Sequence, residues 1–453
     1  MASKKISLFI PLFAMMLPLA GCGASSQFVP QSEAEAQGYT RIDFEWTSND
    51  KTEGQDYFYY TDDFFKKPAS ESDMAFAHAS YAWALANFPS DPKELTDYSN
   101  KSRYARKLSE KLGFTDFVCN NWYKIKPTNG SIGITCSKKA IDLGDGTSTT
   151  VILVGIRGAA YEAEWASNVT LGEEGDATGF GDAAAEVSMF VSDYVTDHSI
   201  SGPIKVWVSG YSRAAATTNL FAGHLDETAL DGISAFSEGV TYKKDDIYAF
   251  CFEPPAGADA EKGDLHSEDF NNIKCYINPD DLVPYVAPKY FGFTRYGEQL
   301  FYPSPLKTLK YREYENKMLS LLNPYIRNGH PNYKAYSIPQ FKPLSGGGEN
   351  KKAVFGVDER KINWTLELQM GAFIENLASN GLYDRFPYTN TVQPGLARAI
   401  TMVFDHAAGE TAPFVKAIQA MIPELLNLNL SSALIDDLMI DELRPYFGTD
   451  FIP

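Results

Sequence analysis

The residues most able to do chemistry lie in "IKVWVSGYSRAAATTNLF", positions 204–221. Within it, Gly210-Tyr211-Ser212-Arg213-Ala214 spells Gly-x-Ser-x-Ala between an alternating apolar run and an alanine-rich run. That order, strand then serine then helix, suits a nucleophile elbow. Such a turn is tight enough to strain the serine backbone, and side chains two residues to either side must be small to avoid the adjoining strand and helix. Gly210 and Ala214 meet that demand. The turn would lift the Ser212 hydroxyl into the open and set a helix N-terminus, with its free N–H groups, beside a reacting carbonyl. The chemistry is nucleophilic attack on an acyl carbon. The same residues also suit an ordinary strand-to-helix turn whose serine caps the helix.

A strand before the serine and a helix after it imply a wider frame. Residues 149–156, "TVILVGI" with its leading threonine, form a continuous apolar run that suits a strand covered on both faces. Residues 181–198 place Val187, Phe190, Val191, Tyr194 and Val195 at helical spacing. Residues 204–209, 247–255 and 273–279 read as further strands. The alternation of strand and helix predicts an α/β fold with a mostly parallel sheet flanked by helices. Ligands of such sheets bind beyond the carboxyl ends of the strands. Here those ends carry Arg157-Gly158, Ser212, Glu253-Pro254 and Asp280-Asp281. Ahead of this core, residues 72–88 read as a buried helix, 101–112 as an amphipathic helix and 115–137 as a hairpin turning at Asn129-Gly130. Beyond residue 305 the chain reads as a mostly helical cap or accessory region.

In order, "VILVGIRGAA", "VWVSGYSRAA", "FCFEPPAGA" and "INPDDLVPYVAP" resemble the core strands of class-3-type lipases. More closely, they resemble bacterial lipase-like surface lipoproteins of the α/β-hydrolase superfamily. The resemblance covers residues 57–305 and is most specific at the serine elbow and at Asp-Leu-Val-Pro. It implies Ser212 as nucleophile and Asp281 as the acid that orients an imidazole, with Asp280 as the neighbouring alternative. It implies an oxyanion hole from the backbone N–H groups of Ala159 and Arg213. Relatives often carry a hydroxyl where this chain has Ala159, and losing one such donor costs about 3–4 kcal/mol of transition-state stabilisation.

The base is harder to place. In the order Ser, Asp, His, only His330 and His406 follow Asp281 among the six histidines. His330 lies in the turn-rich "NPYIRNGHPNYKAY" and is the stronger candidate. His406 lies near a helix end, where a histidine is favoured by the helix dipole alone. Relatives place this histidine near the C-terminus, before a Tyr-Leu-x-Trp-like segment that this chain lacks. Three functions stay open: an ester hydrolase, a non-catalytic binding protein on the same scaffold, and an acyltransferase or thioesterase.

Composition bounds the rest. The 453 residues carry 40 Lys and Arg against 58 Asp and Glu, a net charge of −18. Such a surface repels nucleic acid, which is excluded as a partner. Nothing in the sequence calls for a cofactor, and no cysteine or histidine cluster has metal-ligand spacing. At the N-terminus, Lys4 and Lys5 precede an apolar run too short to span a membrane comfortably, followed by small residues. Leu19-Ala20-Gly21-Cys22 resembles the lipobox of bacterial lipoproteins. That implies export, lipid attachment at Cys22 and a chain facing outside the cytoplasm. The expected organisation is a signal peptide over 1–21, a lipidated tether over 22–45, a hydrolase core over 46–305 and the accessory region over 306–453. An exported protein permits a disulfide between Cys119 and Cys136. Cys251 and Cys275 read as buried thiols.

Overall fold

The computed structural model describes residues 31–47, 53–88, 101–125, 130–144, 146–158, 164, 166–169, 175–277, 283–285 and 292–301. Helix α1 (Gln31–Ala36) leads into β1 (Thr40–Thr47) and β2 (Glu53–Tyr60), which pair antiparallel with Phe44 opposite Asp56. Helices α2 (Met74–Ala86) and α3 (Arg103–Lys111) follow, then β3 (Thr115–Cys119), β4 (Ile134–Asp142) and β5 (Ser148–Ile156). The classical alternation begins there: α4 (Thr178–Asp197), β6 (Gly202–Tyr211), α5 (Arg213–Leu230), β7 (Val240–Thr241), β8 (Ile247–Phe252), β9 (Ala258–Asp259), β10 (Ile273–Ile277), β11 (Phe293–Thr294) and β12 (Glu298–Phe301).

The main sheet has the order β12-β10-β8-β6-β5-β4-β3, with the short β7 beside β6. Strands β5, β6, β8, β10 and β12 run parallel. Strands β4 and β3 close that edge antiparallel. This is the α/β, mostly parallel architecture that the strand runs predict. The accessory region expected beyond residue 305 lies outside the described residues.

Both faces of the central strands are buried, which is why their sequences are apolar without alternation. Leu153, Trp207, Tyr248, Phe250 and Phe252 join a core with α2, α3 and the β1–β2 hairpin. Phe64 and Phe76 stack there at 4.5 Å, and Trp207 meets Phe76 at 5.1 Å. Helix α2 is buried on all sides, so it carries no polar face. Its start is fixed by Asp73, whose carboxylate accepts from Phe76 N–H at 3.0 Å. Both buried indoles of this core are matched: Trp83 Nε1 donates to Val154 O, and Trp207 Nε1 to Ser80 Oγ. On α4, Val187, Val191, Tyr194 and Val195 are buried as their spacing predicts, with Phe190 half-buried.

Two expectations change and one holds. The folded domain starts before residue 46, because α1 and most of β1 occupy 31–45 of the expected tether. Ile42 and Phe44 alternate with polar residues and bury themselves in the core. The 115–137 hairpin holds: β3 and β4 pair antiparallel, a 3₁₀ turn at Asn121–Tyr123 follows β3, and Asn129 of the expected turn lies outside the described residues. Finally, Cys119 and Cys136 are free thiols. Cys119 pairs in register with Thr135 and Cys136 with Val118. That one-residue offset puts the two side chains on opposite faces of the sheet. Among the described residues no helix is long and apolar enough to cross a membrane.

Candidate active site

Ser212 follows β6 directly and precedes α5. Its backbone takes φ 58° and ψ −130°, a left-handed conformation that only strain-tolerant sites impose on a residue with a Cβ. Close packing forces this bend. A Cβ on Gly210 would sit 2.6 Å from Ala214 O and 2.7 Å from Thr218 Oγ1, so α5 lies almost on the strand it leaves. The side-chain oxygen of Ser212 makes no helix-capping hydrogen bond. That separates the elbow from the ordinary capped turn.

The surroundings hem the turn in. Ser212 N–H donates to Phe252 O at 2.9 Å, tying the elbow to the end of β8. Tyr211 stacks on Phe88 at 4.7 Å. The hydroxyl therefore does not stand in the open as expected: Ser212 is only 6% exposed. Glu253, the residue after β8, is fully buried and also left-handed, at φ 52°. A strained residue thus follows each of the neighbouring strands β6 and β8. The sequence marked Glu253 only as a polar strand end.

Arg213 opens α5, and the N–H of a first helical residue has no acceptor within its helix. The Arg213 guanidinium is fully buried and donates through Nη1 to Ser131 O at 2.6 Å and through Nη2 to Gly130 O at 3.2 Å. Burial lowers its pKa to about 10. Glu164 opposes that shift, Arg157 adds to it and Glu186 opposes it. Arg157, before Gly158 at the end of β5, is equally buried and ion-paired with Glu164. It donates through Nη1 to Trp122 O at 2.8 Å. Glu186 of α4 accepts from Trp122 Nε1 at 2.7 Å and from Asn120 Nδ2 at 3.3 Å, and burial raises its pKa. The buried roles of these side chains were not read from the sequence, since their partners are distant in the chain.

Of the expected site residues, Ser212 and Arg213 are adjacent at the elbow. Ala159, Asp280, Asp281, His330, His406 and Cys22 lie outside the described residues. The four described histidines have other partners. His78 meets Phe58 edge-on, and His198 Nδ1 shares a hydrogen bond with Tyr194 O. His224 pairs with Asp176 at 2.8 Å, and His266 Nδ1 with Gly297 O at 2.8 Å. None of them shares a hydrogen bond with Ser212. Among the described residues no group of three His, Cys, Asp or Glu is placed to hold a metal ion.

No protein-family model and no curated protein matches the chain. Among solved structures it is similar to a triacylglycerol lipase whose catalytic centre is a serine protease triad, at 15% identity and a TM-score of 0.32, over 51% of this chain and 81% of the other. It is similar to lipase II from Rhizopus niveus at 14% identity and 0.30, over 50% and 80%. It is similar to the Rhizomucor miehei triacylglyceride lipase at 19% identity and 0.26, over 38% of this chain and 62% of that one. Overlaps of this extent leave the functional reading to the chain's own residues.

Proposed function

We propose that this chain is a serine carboxylic-ester hydrolase of the lipase or esterase type, working through an acyl-enzyme on Ser212. The observation that carries this reading is the Ser212 backbone, at φ 58° and ψ −130° between β6 and α5, with a hydroxyl that caps nothing. A strained residue persists only where its surroundings hold it, and strain of this kind gathers at functional sites.

In this scheme Ser212 Oγ attacks the ester carbon while its proton passes to an imidazole, assigned to His330. Asp281 keeps that imidazole oriented and stabilises its charged form. The oxyanion is met by the N–H groups of Arg213 and Ala159, each worth about 3–4 kcal/mol at the transition state. The imidazolium returns its proton to the departing alkoxide. Water then repeats the sequence on the acyl-serine and releases the acid. The substrates are carboxyl esters, among them lipids near the anchor. The signal-like N-terminus and Cys22 support an exported chain, held by lipid at the outer face of a bacterial cell membrane.

An active-site-directed fluorophosphonate tests the reading. The wild-type chain should be labelled at Ser212, and Ser212→Ala should not be labelled at all. A chain left unlabelled across pH 5–9 would remove the hydrolase. The second reading, a binding protein on a hydrolase scaffold, gains from the low exposure of Ser212 and from the other partners of the four described histidines. It predicts that unlabelled outcome.

A further inference from the structure

A residue with a side chain is held in the left-handed region only when its surroundings over-determine it, so the Ser212 turn must be gripped from both sides. On the N-terminal side the grip is Ser212 N–H on Phe252 O. On the other side, the next side chain in sequence reaches out of the helix. Arg213 clasps two successive carbonyls, Gly130 O and Ser131 O, in the segment between β3 and β4.

That segment is itself anchored at the end of β5. Arg157 N–H donates to Gly133 O at 2.8 Å. The Arg157 guanidinium lies so close to Gly133 that a Cβ there would approach Cζ within 2.9 Å. One short stretch, 130–133, is thus fastened to the residue after the nucleophile and to Arg157, the first residue after β5. With Glu164 and Glu186 the two arginines make an electrically balanced set, which is what permits two cations in a buried place.

Stability alone does not explain an arginine at 213. Taking a cation out of water carries a desolvation penalty, and an apolar side chain fills the same volume without it. What a guanidinium adds is direction, through a planar fork that addresses two carbonyls at fixed angles. We propose that Arg213 is a positioning residue for the oxyanion hole: its side chain, locked on Gly130 O and Ser131 O, fixes the peptide between Ser212 and Arg213 so that the Arg213 N–H points at the developing oxyanion. This inference rests on the hydrolase reading and adds to it the part that sets the geometry.

The test uses hydrolysis of a p-nitrophenyl ester by the full chain, with active sites counted by fluorophosphonate labelling carried to completion. In Arg213→Met, kcat per titrated site should fall roughly 10- to 100-fold, because a misdirected donor forfeits part of what a missing one does. KM should stay within about twofold, since the oxyanion exists only in the transition state. Arg213→Lys keeps the charge but not the fork and should fall in between. If Arg213→Met does not fold, Arg213→Lys decides alone. A variant that merely loses structure has fewer titratable sites but an unchanged kcat per site, and that result overturns the proposal. A wild-type chain that takes no label overturns the hydrolase reading itself, and the proposal with it.

Discussion

Asp226 lies fully buried on the helix that follows the nucleophile. Its Oδ1 accepts from Asn272 Nδ2 at 3.1 Å, while Asp226 Oδ2 and Asn272 Oδ1 have no partner among the described residues. A protonated Asp226 carries one donor and needs fewer acceptor contacts than a carboxylate, which suits a buried group that receives a single hydrogen bond. Burial raises the pKa of Asp226 well above its usual range, and Asp245 and Glu227 push the same way against the pull of Asn272 and Lys244. The sign follows. A carboxyl group that is harder to ionise when folded favours the fold most below its unfolded pKa of about 4, and that contribution is lost as pH rises toward the folded value. Asp226→Asn replaces the acid with a neutral amide that pairs with Asn272 at any pH. The variant should melt a few degrees above wild type at pH 8, with the gap closing near pH 4 in parallel thermal melts. A Tm unchanged at pH 8 would mean that the wild-type carboxylate is ionised and tolerated. At this scale the sequence spoke for Ser212 because an elbow is made by five consecutive residues. It was silent on Asp226 and on the Arg213 side chain because Asn272 and Ser131 come from other parts of the chain.

Between elements, the contact that matters most is α5 against β6. Gly210 and Ala214 bring the helix backbone to the strand, and Ala214, Ala215 and Ala216 are all buried there. Gly210→Val would set a Cβ 2.6 Å from Ala214 O and 2.7 Å from Thr218 Oγ1, with two methyl groups beyond it. Overpacking of this kind costs about 1–3 kcal/mol. Because the displaced element carries Ser212, fluorophosphonate labelling should drop further than stability does. Urea melts and labelling rates on the same preparation check both, and normal labelling in a destabilised variant would uncouple the bend from this packing. The central strands were readable because burial on both faces writes an uninterrupted apolar run. The β1 strand was passed over although "TRIDFEWT" alternates, since its neighbourhood reads as a polar tether. The Cys119 and Cys136 relation depended on register, which proximity in sequence does not supply: one residue of offset turns facing thiols into thiols on opposite sides of a sheet.

Over the whole molecule, the same sheet that presents Ser212 is closed behind by a polar junction that nothing in the sequence marked. Asp176, just ahead of α4, accepts from His224 Nε2 on α5 at 2.8 Å, from Asp259 N–H at 2.8 Å and from Lys262 Nζ at 2.9 Å. Lys262 Nζ also donates to Tyr296 OH at 2.8 Å, and Tyr296 OH donates to Glu227 at 2.7 Å. Segments far apart in the chain therefore meet at one carboxylate. Burial alone would raise the pKa of Asp176, but the hydrogen bonds from His224, Asp259 and Lys262 prevail and hold it at about 2. A carboxylate depressed in this way stabilises the fold above its unfolded pKa, and the contribution disappears as pH falls from about 4 to about 2. For a group still partly in contact with water, screening trims the contribution to about 1–2 kcal/mol. Asp176→Asn should lose that amount in urea melts at pH 7 and converge with wild type near pH 2. Labelling of Ser212 should persist at pH 7, because the junction braces α4, α5 and the segment after β8 without touching the elbow. If Asp176→Asn matched wild type at pH 7, the contacts would be surface pairings of little weight, and the packing of α4 on α5 would have to hold these segments together unaided.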